Sequence, residues 1–506
     1  MSMDINRFKI FLLSLAALFA GACASGETVT FSPDTETVLR NPLNGWVVYL
    51  GRHWDETFWE KTGYDHIATS EGDTVRVSDY ANTVYVRTSW RSFEPEEGKY
   101  AWTDPDSRLN RLFRSVLDRG MKLSFRIVVD GRDQGQNTPD YVFDAGAEYF
   151  TSKVGHREVR SPYADDPVFQ EKYSKFIEAL AEEYNDIEKV DFIDAYGLGK
   201  WGEGHCLMYK DPSRNASVMD WITKLYARTF TEIPLVINYH RLLGEPSDNG
   251  WGPVSPVSDS LLEQAIANGY SLRHDAFGMT DYYQDWEREF ARRWNYRRPI
   301  ILEGGWITGA HHRYWIDSSG KYREGHPEDV RRGEFEAGAE AHVNMMDLRT
   351  GDQTRTWFGN CFDLVKRFTV EGGYRLYPSR VTAPLKAAAG STVTLKSSWE
   401  NMGWGYCPVN IPQWNWRYRI GYALMDEGGK PVCIFPDADA DLSLCLKDSP
   451  LQSEVKVSLE GLVPGKYDWV VSLVDSLKED RPGLQVAIEP SLQINGWVKV
   501  HSFEIQ

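Results

Sequence analysis

The chain has 506 residues, a formal net charge of −17 and 13 % aromatic side chains, among them 19 Trp and 26 Tyr. That length is too great for a single core and predicts two or three domains, while the acidic balance argues against nucleic acid and anionic membrane surfaces as partners. Tryptophan faces stack on the C–H faces of sugars, so the aromatic content points to carbohydrate, although a large core would account for it equally.

Residues 1–26 read as a signal peptide. The segment "MSMDINRFKIFLLSLAALFAGACAS" carries Arg7 and Lys9, then an apolar run, then small residues before Cys23, the pattern of a secretory leader. "AGAC" resembles a bacterial lipobox with Cys23 as the lipidated residue; cleavage near Ala24 as an ordinary leader is the alternative. The apolar run is shorter than the ~20 residues a membrane span needs. The expectation is an exported protein, lipid-anchored to the bacterial outer membrane on its periplasmic or outer face, with no other membrane contact.

Residues 27–375 form the first predicted domain. Short apolar runs at 45–50, 83–90, 122–129, 190–197, 234–240, 272–278, 299–305 and 342–348 alternate with amphipathic segments. "DSRLNRLFRSVLDRG" (106–120) places Leu109, Leu112, Phe113, Val116 and Leu117 on one helical stripe, with Gly120 positioned to end it. Segments 166–184 and 259–269 read likewise. Eight strands alternating with helices imply a parallel sheet with right-handed crossovers. Eight such units close into a (β/α)8 TIM barrel; an open doubly wound sheet is the alternative. The 131–166 segment after the third strand is long and rich in aromatics, which predicts an ordered wall over the barrel mouth. Residues 376–506 instead alternate with period two between Gly, Pro and Asp turns. They predict an antiparallel, immunoglobulin-like β-sandwich of seven or eight strands with no catalytic residue.

Beyond Cys23 the cysteines are Cys206, Cys361, Cys407, Cys433 and Cys445, odd in number and without zinc spacing. Cys433 and Cys445 could pair, or all could be free thiols. No nucleotide-binding glycine loop and no HExxH-type motif is present, so neither cofactor nor metal is expected.

In a barrel, the loops that follow the strands make the functional face. The run "DAYGLGKWGEGH" (194–205) ends the fourth strand in a turn that holds Glu203 between glycines, flanked by Trp201 and His205. "PIILEGG" (299–305) ends the seventh strand on Glu303. Two facing carboxyls serve glycoside hydrolysis: one delivers a proton to the leaving oxygen, the other attacks or stabilises the sugar cation. Glycines beside Glu203 leave room for a substrate, and Trp201 could stack on it. Arg87 and Arg126 fall where alternation points them inward, and a buried arginine requires a carboxylate such as Glu303. Asn238, Tyr239, His240, His274 and Asp275 stand at the ends of the fifth and sixth strands. Trp46, Trp90, Trp306 and Trp315 are rim candidates, with core placement as the competing reading for each.

"WRSFEPEEGKYAW" (90–102) and the following "RGMKLSFRI" (119–127) resemble the second and third barrel units of clan A glycoside hydrolases. Family 42 and family 35 β-galactosidases carry this W-x-x-x-E-P-x-x-G-x-Y-x-W type of run. The barrel followed by "WENMG" (399–403) is also similar to a family of exported bacterial lipoproteins with a glycosidase-like barrel and a C-terminal sandwich. The resemblance implies that Glu203 is the acid/base, Glu303 the nucleophile and Arg87 the arginine beside it, and that Glu94 and Pro95 shape a loop. One departure stands out: the clan's Asn before the acid/base, which binds the substrate 2-hydroxyl, is Gly202 here. The contact then falls to Asn238 or His240, or the barrel binds sugar without cleaving it. The expected function is therefore a retaining glycoside hydrolase acting on a poly- or oligosaccharide, with carboxyls ~5–5.5 Å apart. Substrate contacts are expected from Arg87, Trp201, His205, Asn238, Tyr239, His240 and Trp306. The alternatives are a non-catalytic glycan-binding lipoprotein with the same barrel, and a barrel scaffold carrying a protein-interaction sandwich.

Overall fold

The computed structural model describes residues 26–51, 53–204, 206–244, 253–277, 282–307 and 320–506. Eight strands close into one parallel barrel, each hydrogen-bonded to the next in chain order. They are β1 (Gly45–Tyr49), β2 (Ala81–Ser89), β3 (Lys122–Val128), β4 (Val190–Asp194), β5 (Leu235–Asn238), β6 (Ser271–His274), β7 (Ile300–Leu302) and β8 (Met345–Asp347). Each grows from one of the apolar runs, as expected of strands buried on both faces. The helix Arg108–Leu117 buries Leu109, Leu112, Phe113 and Val116, and its first turn is capped by the Ser107 side chain. Gly120, at φ +69°, turns the chain out of it towards β3. Helix Pro167–Tyr184 starts on an Asp166 cap with proline in its first turn.

The segment after β3 folds into a short helix (Asp140–Asp144) and an antiparallel hairpin (Tyr149–Val154 with Arg157–Pro162). The Arg160 guanidinium lies over Phe143 and Tyr149, at 4.6 and 5.5 Å. The wall meets the loop after β4 where Ala164 N donates to Met208 O at 3.0 Å and Lys200 pairs with Asp133 at 2.7 Å.

The C-terminal part holds two facing sheets. One runs Glu27–Thr30, β9 (Leu376–Ala383), β10 (Thr392–Asn401), β13 (Leu451–Ser458). The other is built on β11 (Tyr418–Met425), β12 (Pro431–Pro436), β14 (Gly465–Asp475) and β15 (Trp497–Ile505). They meet face to face where the Tyr422 hydroxyl of β11 reaches Ser397 at 2.5 Å and Ser453 at 2.9 Å on the opposite sheet. Two details depart from expectation. Lys386–Ala387 pairs parallel with the end of β15, so that sheet is mixed. Glu27–Thr30 pairs antiparallel with β9, so these residues join the C-terminal layer rather than the barrel; they cover what would be an open strand edge.

The C-terminal layer packs beneath the barrel, at the N-terminal ends of its strands. The Trp404 indole donates to Val343 O at 2.9 Å and packs on Phe335 and Phe368. The buried Asn344 amide donates to Leu43 O at 3.2 Å and to Tyr406 O at 2.8 Å. One continuous apolar core runs through both parts. Among the described residues Cys433 and Cys445 are in no disulfide, so the two are not bridged. Cys433 lies in β12 opposite Leu424, whereas the Cys445 thiol donates to Trp399 O at 3.4 Å. Among the same residues no helix is long and apolar enough to cross a membrane.

Candidate active site

The site is built at the C-terminal ends of the strands. After β4 the chain makes a tight double turn in which Gly197, Gly199, Trp201, Gly202 and Gly204 all have positive φ. At Gly197 a Cβ would lie 2.1 Å from Ile127 O of β3, so only glycine passes there. The turn places Glu203 inward, 4 % exposed. Its carbonyl accepts from His240 Nε2 at 2.9 Å and from Asn238 Nδ2 at 3.4 Å. Leu242 N donates to His240 Nδ1 at 3.1 Å, which makes that imidazole a neutral ring with its proton on Nε2. The Glu203 carboxyl takes two bonds on Oε1, from Arg87 Nη1 at 3.1 Å and Arg126 Nη1 at 3.0 Å.

Glu303 follows β7 and prolongs its ladder, its N–H donating to His274 O at 2.8 Å. Its carboxylate is fully buried and paired with Arg273 of β6 on one oxygen and Arg349 on the other. Arg126 Nη2 lies 3.8 Å from the same group. Arg349 is held between the rings of Tyr49 and Trp306, at 4.9 and 4.6 Å. The Tyr49 hydroxyl in turn accepts from Arg87 at 3.1 Å. Asp194, the last residue of β4, accepts from Arg126 Nε at 2.7 Å and from the Tyr85 hydroxyl at 2.8 Å. Four guanidinium groups (Arg87, Arg126, Arg273, Arg349) thus face four carboxyls (Asp194, Glu203, Asp275, Glu303) in one network. Mutual pairing is what permits so many charges to be buried.

Several titrations at the site are displaced, among them those of two acids and one imidazole. Burial alone would raise the Asp275 carboxyl, but a side-chain hydrogen bond with Glu203 and the charges of Arg273, Arg126 and Arg349 hold it well below the usual range. Burial pushes Asp347 up to about 6, partly opposed by Arg349. His274 is driven by burial down to about 4 and is neutral at pH 7.

Glu203, Glu303, Arg87 and Trp306 therefore come together, with Arg126 between the two acids; Arg87 pairs with Glu203 and not, as expected, with Glu303, whose arginines are Arg273 and Arg349. Asn238 and His240 converge on the same place but address the Glu203 main chain, and both ring nitrogens of His240 are engaged. Tyr239 points the other way: it is fully buried, stacked on Phe290 at 5.5 Å, with its hydroxyl 3.3 Å from that of Tyr283. Neighbouring strand residues face opposite sides, so Asn238 inward puts Tyr239 outward. Trp201 is half-buried beside the wall, with the Lys200 ammonium 4.7 Å above its ring. Trp46 and Trp90 are core residues. Trp46 packs on Trp357 and Phe368, and the Trp90 indole donates to Glu94 at 2.8 Å. Glu94 also accepts from the Tyr141 hydroxyl and Gly98 N, which fixes the loop after β2. Cys23, His205 and Trp315 lie outside the described residues. Arg273, Arg349, Asp194 and Tyr49 went unpredicted; the available signal was a charge set among apolar neighbours on a short strand, as in "SLRHDAFG".

Among solved structures, the chain is similar to the catalytic domain of β-amylase from Paenibacillus polymyxa, at 9 % identity over 64 % of this chain and 98 % of that one, with a TM-score of 0.39. It is similar to endo-glycoceramidase II from Rhodococcus sp., at 13 % identity over 84 % and 99 %, with a TM-score of 0.36. A β-galactosidase from Marinomonas ef1 matches at 13 % identity over 64 % and 59 %, with a TM-score of 0.36. No protein-family model and no curated protein sequence matches the chain. At such identities and TM-scores these likenesses carry no chemistry, which has to be argued from the side chains.

Proposed function

We propose that the protein is a retaining glycoside hydrolase acting on an oligo- or polysaccharide, with Glu203 as proton donor and Glu303 as nucleophile. One observation carries this reading. The carboxyls that follow β4 and β7 converge on a single guanidinium, with Arg126 at 3.0 Å from Glu203 and 3.8 Å from Glu303. Two acids addressed by one planar fork face a common space, which supports a two-carboxylate mechanism, and the retaining course is proposed with it. Arg273 and Arg349 balance the charge of Glu303, and Trp306 and Trp201 stand at the rim as stacking surfaces. Asn238 and His240 act through the Glu203 backbone, which makes them positioning residues.

Glycan binding without cleavage is the second reading, favoured by the complete burial of Glu303 under two arginines. Turnover of a panel of aryl glycosides, together with calorimetric glycan binding, separates the two. Under the hydrolase reading Glu303→Gln abolishes turnover. Glu203→Ala slows substrates with poor leaving groups by about 10²–10⁴ and activated ones far less, because only the former need the proton. Glycan binding by a wild-type protein that turns over none of the panel would leave the second reading in front. The proposal extends to location: with Cys23 lipidated, the mature protein partitions into the detergent phase and Cys23→Ser releases it. A processed wild-type protein that stays aqueous would remove the anchor. More than one acyl chain is needed for stable anchoring, as a lipoprotein provides.

A further inference from the structure

The segment that follows Glu303 leaves the sheet and is held by side chains. Glu303 N still donates to His274 O of β6 at 2.8 Å. The next two alternate amides bond side chains instead. Gly305 N donates to Glu334 Oε1 at 2.7 Å, and Ile307 N donates to Gln353 Oε1 at 2.8 Å. Glu334 belongs to the helix after β7 (Pro327–Glu340), and Gln353 to the first turn of the helix after β8 (Asp352–Glu371). Arg331 ties the two acceptors together. Its Nη1 bonds Glu334 Oε2 at 2.6 Å, its Nη2 lies 3.4 Å from Gln353 Oε1, and its Nε bonds Thr356 Oγ1 at 2.9 Å. Arg331, Glu334 and Gln353 are all buried. A Cβ at Gly304 would stand 3.5 Å from both Arg331 Nη1 and Arg349 Cγ. The strap 303–307 therefore passes between this cluster and the arginine that pairs with Glu303.

We propose that Glu334 and Gln353 are positioning residues that clamp the strap carrying Glu303 and Trp306. The consequence for catalysis rests on the hydrolase reading above; the clamp itself does not. Buried amide donors need acceptors, and a turn of backbone could supply them. Here the acceptors are two side chains joined by a buried guanidinium. A buried ion pair adds little stability over an apolar pair of similar volume, but it provides an acceptor whose place is set from both sides. Glu334 is fixed by Arg331, and Arg331 is fixed by Thr356 and Gln353 of the neighbouring helix. The strap is thereby referenced to two outer helices at once. With Gly305 held, Glu303 stays against Arg349; with Ile307 held, the Trp306 ring stays 4.6 Å from the Arg349 guanidinium. Displacing a reacting group by about 1 Å can cost about 10²-fold in rate, even when the change lies away from the chemistry.

The test uses the full chain carrying Glu334→Ala, Gln353→Ala or Glu334→Gln; the last keeps an oxygen for Gly305 N. Its first arm needs no turnover. By hydrogen exchange and mass spectrometry, the peptide spanning 303–307 exchanges about tenfold faster or more in either alanine variant, with the peptides of β1–β4 unchanged. Equal exchange of that peptide in wild type and both alanine variants overturns the proposal and leaves the hydrolase reading untouched. The second arm is kcat/KM on the aryl glycosides, per folded molecule by near-UV circular dichroism. It falls about 10- to 100-fold in the alanine variants and by less in Glu334→Gln. Faster exchange with kcat/KM unchanged, or an equal loss in Glu334→Gln and Glu334→Ala, makes the cluster merely structural and overturns the positioning role. A Glu334→Ala chain that fails to fold leaves both arms to Gln353→Ala. A wild type that turns over none of the panel, with the exchange difference present, keeps the clamp and removes the hydrolase.

Discussion

Replacing Arg126 by Met tests the charge network directly. The methionine keeps much of the apolar stem and deletes the fork. The wild-type guanidinium is fully buried and bonds Asp194 at 2.7 Å through Nε and Glu203 at 3.0 Å through Nη1, with Glu303 at 3.8 Å. Its loss leaves three buried carboxyls with only the remaining arginines. Breaking one partner of a buried pair costs about 3–5 kcal/mol, and the several partners here place the expectation at the upper end. The measurement is equilibrium urea denaturation of the full chain, followed by tryptophan fluorescence at several pH values. Removing a cation raises the folded-state pKa of the buried carboxyls it paired. The penalty is therefore complete at pH values above the folded pKa and is lost as pH falls towards the unfolded pKa near 4. The deficit should be largest at pH 7 and shrink by pH 5. A loss under about 1 kcal/mol at pH 7, or one that is equal at both pH values, would refute the network as the source of order at the barrel mouth.

Three further outcomes are expected. Ending the chain at residue 375 removes Trp404 and Tyr406 from the barrel floor, so it should yield an insoluble or molten product by near-UV circular dichroism; a native-like barrel would show that the shared core is dispensable. Asp347→Asn should stabilise the protein, because burial raises the acid from 3.8 to about 6 in the folded state. That penalty is present above pH 6 and relieved below about 4, so the gain should approach about 3 kcal/mol at pH 8 and vanish at pH 4; a gain independent of pH would rule out titration as its cause. Gly197→Ala should cost more than about 2 kcal/mol and displace Glu203, since the new methyl would meet Ile127 O at 2.1 Å. Gly98→Ala, also at positive φ but with nothing within 4 Å, should cost about 1 kcal/mol; equal losses at the two sites would discount the close approach.

All eight barrel strands were legible because a strand buried on both faces is written as an unbroken apolar run. Glu303 was legible because it ends such a run where the core gives out, and Glu203 because it stands in the glycine turn that follows one. The partners were not. "SLRHDAFG" shows that Arg273 is buried but not that Glu303 faces it, because the pairing arises only when β6 and β7 lie side by side. Asn238 ends a four-residue strand and Tyr239 follows it, a run too short for alternation to set which of the two faces inward. Trp46 and Trp90 could not be divided between rim and core by residue type, since a large aromatic serves either. Glu27–Thr30 was missed because four residues carry little periodic signal and their partner strand lies some 350 positions away.

The glycine at 202 and the arginine at 126 are a single structural choice. The clan A resemblance places an Asn where Gly202 stands. Here that backbone has φ +75°, and a Cβ would meet Arg126 Cδ at 3.1 Å and Gly197 Cα at 3.3 Å. An exposed arginine stem could yield by a few tenths of an ångström, but this one is fixed at its tip by Asp194, Glu203 and Glu303. The volume that an Asn side chain would fill is thus occupied by the Arg126 stem, whose charge holds both acids. The loop then needs another anchor, and β5 supplies it: His240 and Asn238 grip the Glu203 carbonyl from below while Arg87 and Arg126 hold its carboxyl from the side. Glu203 is fixed at both ends by contacts that leave the 2-hydroxyl position unassigned. Shortening Arg126 would open the space at 202 and at the same time remove the group that brings Glu203 and Glu303 together, so an Asn at 202 cannot be restored by relieving the clash alone.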